Sequence, residues 1–285
     1  KPGANYRFNA SLKGDGQTRI PPKRVAVLWQ TSMSLVRYLA LEEDGSASFF
    51  LDASSSDETQ IKQGNAVIGA FDEQDNLLWS WHIWIANFDP EADAIDCGDY
   101  LVMDRHLGAL QNGHSDQAEI LASYGLYYQW GRKDPIIGPD TWDFELNADD
   151  YLYDSMEKGV TYLYEPSTAT TGNLEWTTHN PVSIVLGNAD NGYDWISSGH
   201  IDTWAEATKS EQDPCPAGWR VPTSDIYASL TISAEDDDMP WQEAQRMYGW
   251  QLEDTATGEQ HFFTASGRRN YLDGRLDIIN DDPTR

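Results

Sequence analysis

The sequence predicts an α+β protein: a small β-sandwich over residues 1–90, then, over residues 91–285, a domain of two or three short helices set among long loops. Three observations carry this. Before residue 90 the apolar residues fall in short runs of strand length separated by turn residues. The first run with helical spacing comes only after Asp116. Between the two lies a polar stretch, residues 86–99, with Asp89, Glu91, Asp93, Asp96 and Asp99, where the domain boundary is placed. With 285 residues, 40% hydrophobic and 12% aromatic, the chain can bury one large core or two smaller ones.

In chain order, Arg24–Trp29 is a short apolar run, and Ser46–Leu51 follows the turn signal Asp44-Gly45. Gly64–Phe71 is a β-branched run, and Gln74-Asp75-Asn76 a hairpin turn from which Leu77–Ile85 returns. Strand alternation in that return puts Trp79, Trp81, Ile83 and Ile85 on one face and Ser80, His82 and Trp84 on the other. Asp116 and Glu119 have capping-box spacing, and Ile120, Leu121, Tyr124, Tyr127 and Tyr128 follow at helical intervals, so a helix is expected there with Gly131 as its stop. Residues 135–212 read as long loops, with a compact turn over Asn188–Trp195. In Asp213–Thr223, prolines 214, 216 and 222 forbid helix, while Cys215 and Trp219 call for burial. A helix is expected over 223–231, the acidic run Glu235–Asp238 next, and a second helix from Pro240 to Gly249. Gln260–Ala265 reads as a strand and residues 266–285 as loop.

Five blocks resemble one family. They are Leu78–Trp84 (LWSWHIW), Met103–Ala109 (MDRHLGA, with His106 where Asn is usual), Gly125–Pro135 (GLYYQWGRKDP), Cys215–Thr223 (CPAGWRVPT) and Ala265–Arg269 (ASGRR). In this order they resemble the Fibrobacter succinogenes major paralogous domain over roughly residues 64–270. That domain has a C-type-lectin-like fold and often ends fimbrillin-family surface proteins of Bacteroidetes. The resemblance implies that residues 91–285 form a lectin-like domain whose last strands are absent from this chain. It also implies a cell-surface or extracellular setting. In the family, the Cys of the CPxGW block commonly pairs with a Cys near the C-terminus. Here Cys97 and Cys215 are the two cysteines, and they can pair with each other or elsewhere.

A net charge of −28 repels phosphate backbones and anionic membranes, so nucleic acid is a poor partner. No run of 18 apolar residues is present, so no membrane-spanning segment is expected. The sequence lacks the His-Glu-x-x-His, Gly-x-Ser-x-Gly and phosphate-loop motifs, and the sugar-binding Glu-Pro-Asn motif of C-type lectins has only Glu165-Pro166-Ser167 near it. These absences point to a non-enzymatic protein without a cofactor. A structural Ca²⁺ is the one ion considered, on the carboxylates at 89–99, 235–238 and 273–282, although none matches the EF-hand spacing. Ligand contact is expected on late loops, at Trp250, Arg268, Arg269, Asn270, Tyr271, Arg275 and Asp277. These residues mix Arg with aromatics, as interface anchors do, and concentrate positive charge in an acidic chain. The resulting expectation is an adhesin that takes a glycan or protein on host or neighbouring cells, with other pilus subunits as further partners. A structural pilus subunit and a glycan-active enzyme are the alternatives.

Overall fold

The structure, a computed structural model, describes residues 1–139, 152–204, 208–223, 226, 231–233 and 249–277. It is mostly β-sheet with few helices. One sheet has the order β1-β4-β3, from Asn5–Asn9, Val36–Leu41 (β3) and Ser46–Leu51 (β4). The second has the order β10-β9-β2-β5-β6. Its central strands are Arg24–Gln30 (β2), Gly64–Phe71 (β5) and Leu77–Ile85 (β6). Its last two are Leu152–Tyr153 (β9) and Gly159–Val160 (β10), which come from the far side of the expected boundary. They join the sheet through the single pairing Gln30–Tyr153.

This second sheet is buried on both faces, and strand alternation decides what each face meets. Val27, Ala66, Ile68 and Ile85 turn toward Phe49 and Leu51 of the first sheet. Trp29 and Val67 turn the other way and pack with Leu126, Ile136, Leu152 and Ile184 from the second half of the chain. A bulge at Leu28 moves Trp29 onto that second face, because Val27 pairs with Ile68 and Trp29 with the very next residue, Val67. The stretch 88–99 therefore separates the halves in sequence, while in space they share a sheet and a core.

The face formed by Ser80, His82 and Trp84 is where the second half docks. The Ser80 hydroxyl donates to Asp134 (2.6 Å), the Trp84 indole N–H donates to the Ala109 carbonyl (3.0 Å), and the His82 ring bonds the Asn65 side-chain oxygen (2.9 Å). Burial holds the His82 imidazole down at about 4, so it is neutral in the fold. On the opposite face Trp81 packs against Phe8, 5.0 Å between ring centres.

The first helix, Gln117–Ser123 (α1), starts where the capping residues place it: the Asp116 carboxylate accepts from the Glu119 N–H (2.9 Å). Glu119 reaches back to the Ser115 N–H (3.0 Å) instead of closing a full box on Asp116. The helix is shorter than its periodicity predicts. Gly125, at φ +70°, ends it six residues before Gly131, and a Cβ at Gly125 would stand 2.6 Å from the Leu107 carbonyl oxygen. Tyr127 and Tyr128 consequently belong to an extended segment, tied by Tyr127 to Ile136 through two backbone bonds of 2.8 Å.

The expected helices over 223–231 and 240–249 and the run 235–238 lie almost wholly outside the described residues. Thr231–Ser233 is a strand (β13), and Gly249 begins another, Gly249–Glu253 (β14), which pairs with Gln260–Thr264 (β15) as expected for that segment. The region 135–212 is more regular than its composition implies. It contains Leu163–Pro166 (β11) parallel to Ser183–Leu186 (β12), and the helix Leu174–His179 (α2) capped by Asn173. Residues 266–277, expected as loop, contain a small hairpin of Arg268–Arg269 (β16) and Leu276–Asp277 (β17). Trp219, expected in the core, is only half-buried. Cys97 and Cys215 are unpaired thiols.

Candidate functional site

Four of the expected late-loop residues, Arg268, Arg269, Asn270 and Tyr271, line a cleft of about 290 Å³ between the β16–β17 hairpin and the turn 187–195. Its floor is the edge of the shared core: Tyr127, Gln129, Ile136 and Val185. Gln129 acts there like a piece of backbone. Its side chain donates to the Val185 carbonyl (2.7 Å) and accepts from the Val185 N–H (3.2 Å), which locks β12 under the cleft.

Local chemistry builds both rims. In the hairpin, the Asn270 side chain accepts from the Leu272 N–H (2.8 Å), the Asn270 backbone N–H donates to the Arg275 carbonyl (2.8 Å), and Asp273 accepts from the Arg275 N–H (3.1 Å). Gly274 is required at φ +72°, where a Cβ would sit 2.2 Å from the Tyr164 ring. In the opposing turn, the Asn188 side chain accepts from the Asp190 N–H (2.9 Å), and the Trp195 indole donates to the Trp130 carbonyl (2.8 Å). Gly187 donates its N–H to the Tyr271 carbonyl (2.6 Å), joining the two rims.

Two tyrosines stand on these rims. Tyr271 is 47% exposed and Tyr193 45%, with ring centres 4.9 Å apart. Tyr193 adopts φ +66°, a left-handed conformation that bulky side chains avoid. The surrounding turn holds it there through the bond from the Tyr193 N–H to the Asn188 carbonyl (2.7 Å). Strain of this kind concentrates where a side chain must be presented.

The expected site residues divide into distinct roles. Arg268, Arg269, Asn270 and Tyr271 line the cleft. Arg269 is part of the frame: its guanidinium donates to the Ile137 carbonyl (3.1 Å from Nη2) and the Gly274 carbonyl (3.0 Å from Nη1). Arg275 lies outside the cleft lining, its side chain 85% exposed and 3.8 Å from the Asp273 carboxylate, a loose surface pair. Asp277 pairs by backbone with Arg268 in the hairpin. Trp250 lies on β14 opposite Phe263 and does not line the cleft. Tyr193, Asp194 and Gln129 were missing from the expected set. The Asn188–Trp195 text showed the turn, but nothing in it marked Tyr193 as the residue facing the hairpin.

The cleft offers stacking surfaces, phenol and amide groups and a cationic edge, a set that holds a ligand by contact. Among the described residues, no three His, Cys, Asp or Glu side chains gather to hold a metal ion. At 89–99 the carboxylates are engaged with their own loop: Asp89 accepts from the Glu91 N–H (3.0 Å), Asp93 from the Asp89 N–H (2.9 Å) and Asp96 from the Gly98 N–H (2.8 Å). Burial, with the Asp213 carboxylate beside it, pushes the Cys215 thiol up to about 12, so it stays protonated at neutral pH. Among the described residues no helix is long and apolar enough to cross a membrane. No family model matches the chain, and no curated protein or solved structure matches it.

Proposed function

We propose that this chain is a non-enzymatic adhesin of the cell surface or of a pilus, of the fimbrillin type. In this reading residues 91–285 are a lectin-like domain, and the cleft between the β16–β17 hairpin and the 187–195 turn takes a glycan or protein ligand on host or neighbouring cells. The single observation that carries the reading is the exposed Tyr193–Tyr271 pair, presented from two hydrogen-bonded turns over a rigid floor. Aromatic side chains on a fixed scaffold supply contact area at low entropic cost, for sugar faces and peptide side chains alike. The resemblance of the five sequence blocks supports the surface setting. The protonated Cys215 thiol favours binding over thiol chemistry.

The test is a glycan and host-protein binding array probed with the intact chain, then repeated with Tyr271→Ala and Tyr193→Ala. The adhesin reading expects a ligand whose affinity falls by about tenfold or more in each variant, as for aromatic anchors. A ligand bound equally well by both folded variants would move the site away from this cleft. A chain that captures nothing but copies of itself would favour a purely structural pilus subunit.

A further inference from the structure

A second cavity, of about 470 Å³, lies against the Cys-Pro segment and differs in chemistry from the cleft. Met103, Leu107, Trp204, Trp219, Val221 and Phe263 give it mainly apolar walls. Its volume is within the range of roughly 300–1,000 Å³ typical of small-molecule pockets. Trp219 explains its own half-burial here: the indole forms a wall instead of filling the core.

Two residues that line it, Tyr128 and Thr223, carry buried hydroxyls with no hydrogen-bond partner. Both oxygens are buried, and Thr223 as a whole is 8% exposed. Buried hydroxyls are almost always partnered, because an unmet one forfeits its bonds to water. Burial drives the Tyr128 phenol well above its ordinary range, so it remains an O–H donor at neutral pH. Two other polar side chains of the same wall, Arg105 and His106, are already engaged, and Arg220, also in the lining, is exposed to water. Arg105 holds Asp104 through Nε and Nη2, each at 2.7 Å, and the His106 ring bonds the Thr264 carbonyl at 2.9 Å.

A neighbouring cavity of about 420 Å³, between β6 and the same Cys-Pro segment, provides the contrast. Its charges are paired: buried Lys133 with Ser80 and Asp134, and the more exposed Lys209 with Asp213 and the Cys215 carbonyl. In that cavity the charged groups are compensated and the Trp79 indole N–H is left without a partner, whereas the larger cavity has two hydroxyls unmet in its lining residues.

We propose that the cavity walled by Trp219, Phe263 and Met103 binds a neutral, mainly apolar small molecule with one hydrogen-bond-accepting oxygen, such as an aryl or alkyl ketone or alcohol, and that this oxygen accepts from the Tyr128 or Thr223 hydroxyl. A neutral ligand fits because the wall's buried guanidinium is committed to Asp104. Tyr128 also lines the adhesive cleft, while the apolar walls of the cavity lie outside it, so the proposal stands whether or not that cleft binds a glycan.

The probe is 6-propionyl-2-(dimethylamino)naphthalene, a neutral aryl ketone whose emission reports polarity and hydrogen bonding. Titration of the intact chain should give saturable, blue-shifted emission with one site per chain. The Tyr128→Phe, Thr223→Val double variant removes both oxygens and keeps the shape, and should weaken binding by about tenfold. Val221→Trp fills the cavity and should abolish binding. A competition on the unsubstituted protein does not depend on any variant folding. There 2-acetylnaphthalene should displace the dye about tenfold better than 2-ethylnaphthalene, which has the same body without the oxygen, and 2-naphthoate should be the weakest of the three. Non-saturable dye uptake, equal displacement by the ethyl compound, stronger displacement by the carboxylate, or full binding by folded Val221→Trp would each overturn the proposal.

Discussion

Two basic pairs in this chain, Arg132-Lys133 and Arg268-Arg269, look alike in sequence and occupy very different environments. Arg132 and Lys133 are buried at the seam where the second half meets β6. Lys133 donates to Ser80 (2.5 Å) and Asp134 (2.6 Å), and Ser80 donates on to the same Asp134 oxygen. Arg132 donates to Gln129 and to the Ser183 carbonyl, 2.9 Å each. Arg268 and Arg269 sit on a surface hairpin, one directed to the cleft and one folded back to hold Ile137 and Gly274. The difference shows that charge in so acidic a chain does not by itself mark a binding surface. A following Asp134 and a serine across the seam allow two cations to be buried as scaffold. The hairpin instead keeps Arg268 exposed in the lining of the cleft.

The largest expected effect separates these two environments. Asp134→Ala leaves Lys133 buried without its carboxylate and should cost about 3–5 kcal/mol, read from the denaturant midpoint. A loss under ~1 kcal/mol would mean that water already solvates the seam.

The seam should also sense acid through His82. Its folded pKa, about 4, lies below the ordinary 6.5, so the unfolded chain binds the proton first as pH falls. The stability from the neutral imidazole is complete above about pH 6.5 and is lost progressively as pH falls toward about 4. Between pH 7.5 and 5 this amounts to about 2 kcal/mol, and His82→Gln should remove that part of the pH dependence. Equal slopes in the two proteins would place the acid sensitivity elsewhere.

At the hairpin, Arg269→Ala should cost about 1–2 kcal/mol by leaving the Ile137 and Gly274 carbonyls short of donors. It should weaken ligand capture only by loosening the hairpin. Tyr193→Asn replaces a strained bulky residue with one that tolerates φ near +66°. Stability should hold or rise by up to ~1 kcal/mol, while affinity for any cleft ligand falls. A clear loss of stability would show that the Tyr193 ring is structural and not displayed. Last, Arg275→Ala should change stability by less than ~0.5 kcal/mol, and a loss of binding to an acidic ligand would then report direct contact.

Local signals were legible wherever a residue acts on its own neighbours. The Asp116 cap, the turn over 74–76 and the compact Asn188–Trp195 turn each depend on bonds within a few residues, which a sequence displays directly, and the strand at 260–264 shows in its composition although its ladder bonds reach back to Gly249–Glu253. The alternation of β6 was legible too, since Ser80, His82 and Trp84 share a face by geometry alone. Periodicity failed at Tyr127 and Tyr128. Their helical spacing was overridden by Gly125, whose left-handed backbone and close approach to Leu107 turn the chain into an extended segment. The hairpin at 268–277 carries no strand signal because its two strands are two residues each, too short for any period to register.

The sequence by itself determined the β-rich character, the places where several strands and caps begin, and an aromatic-and-arginine stretch near residue 270. These follow from backbone preferences and short-range hydrogen bonds. Only the tertiary structure decided that β9 and β10 extend a sheet begun more than a hundred residues earlier, that Lys133 is interior and Arg275 is not, and that Tyr193 meets Tyr271. Each of those outcomes depends on which surfaces lose water together, and desolvation is a property of the assembled fold that no single segment carries.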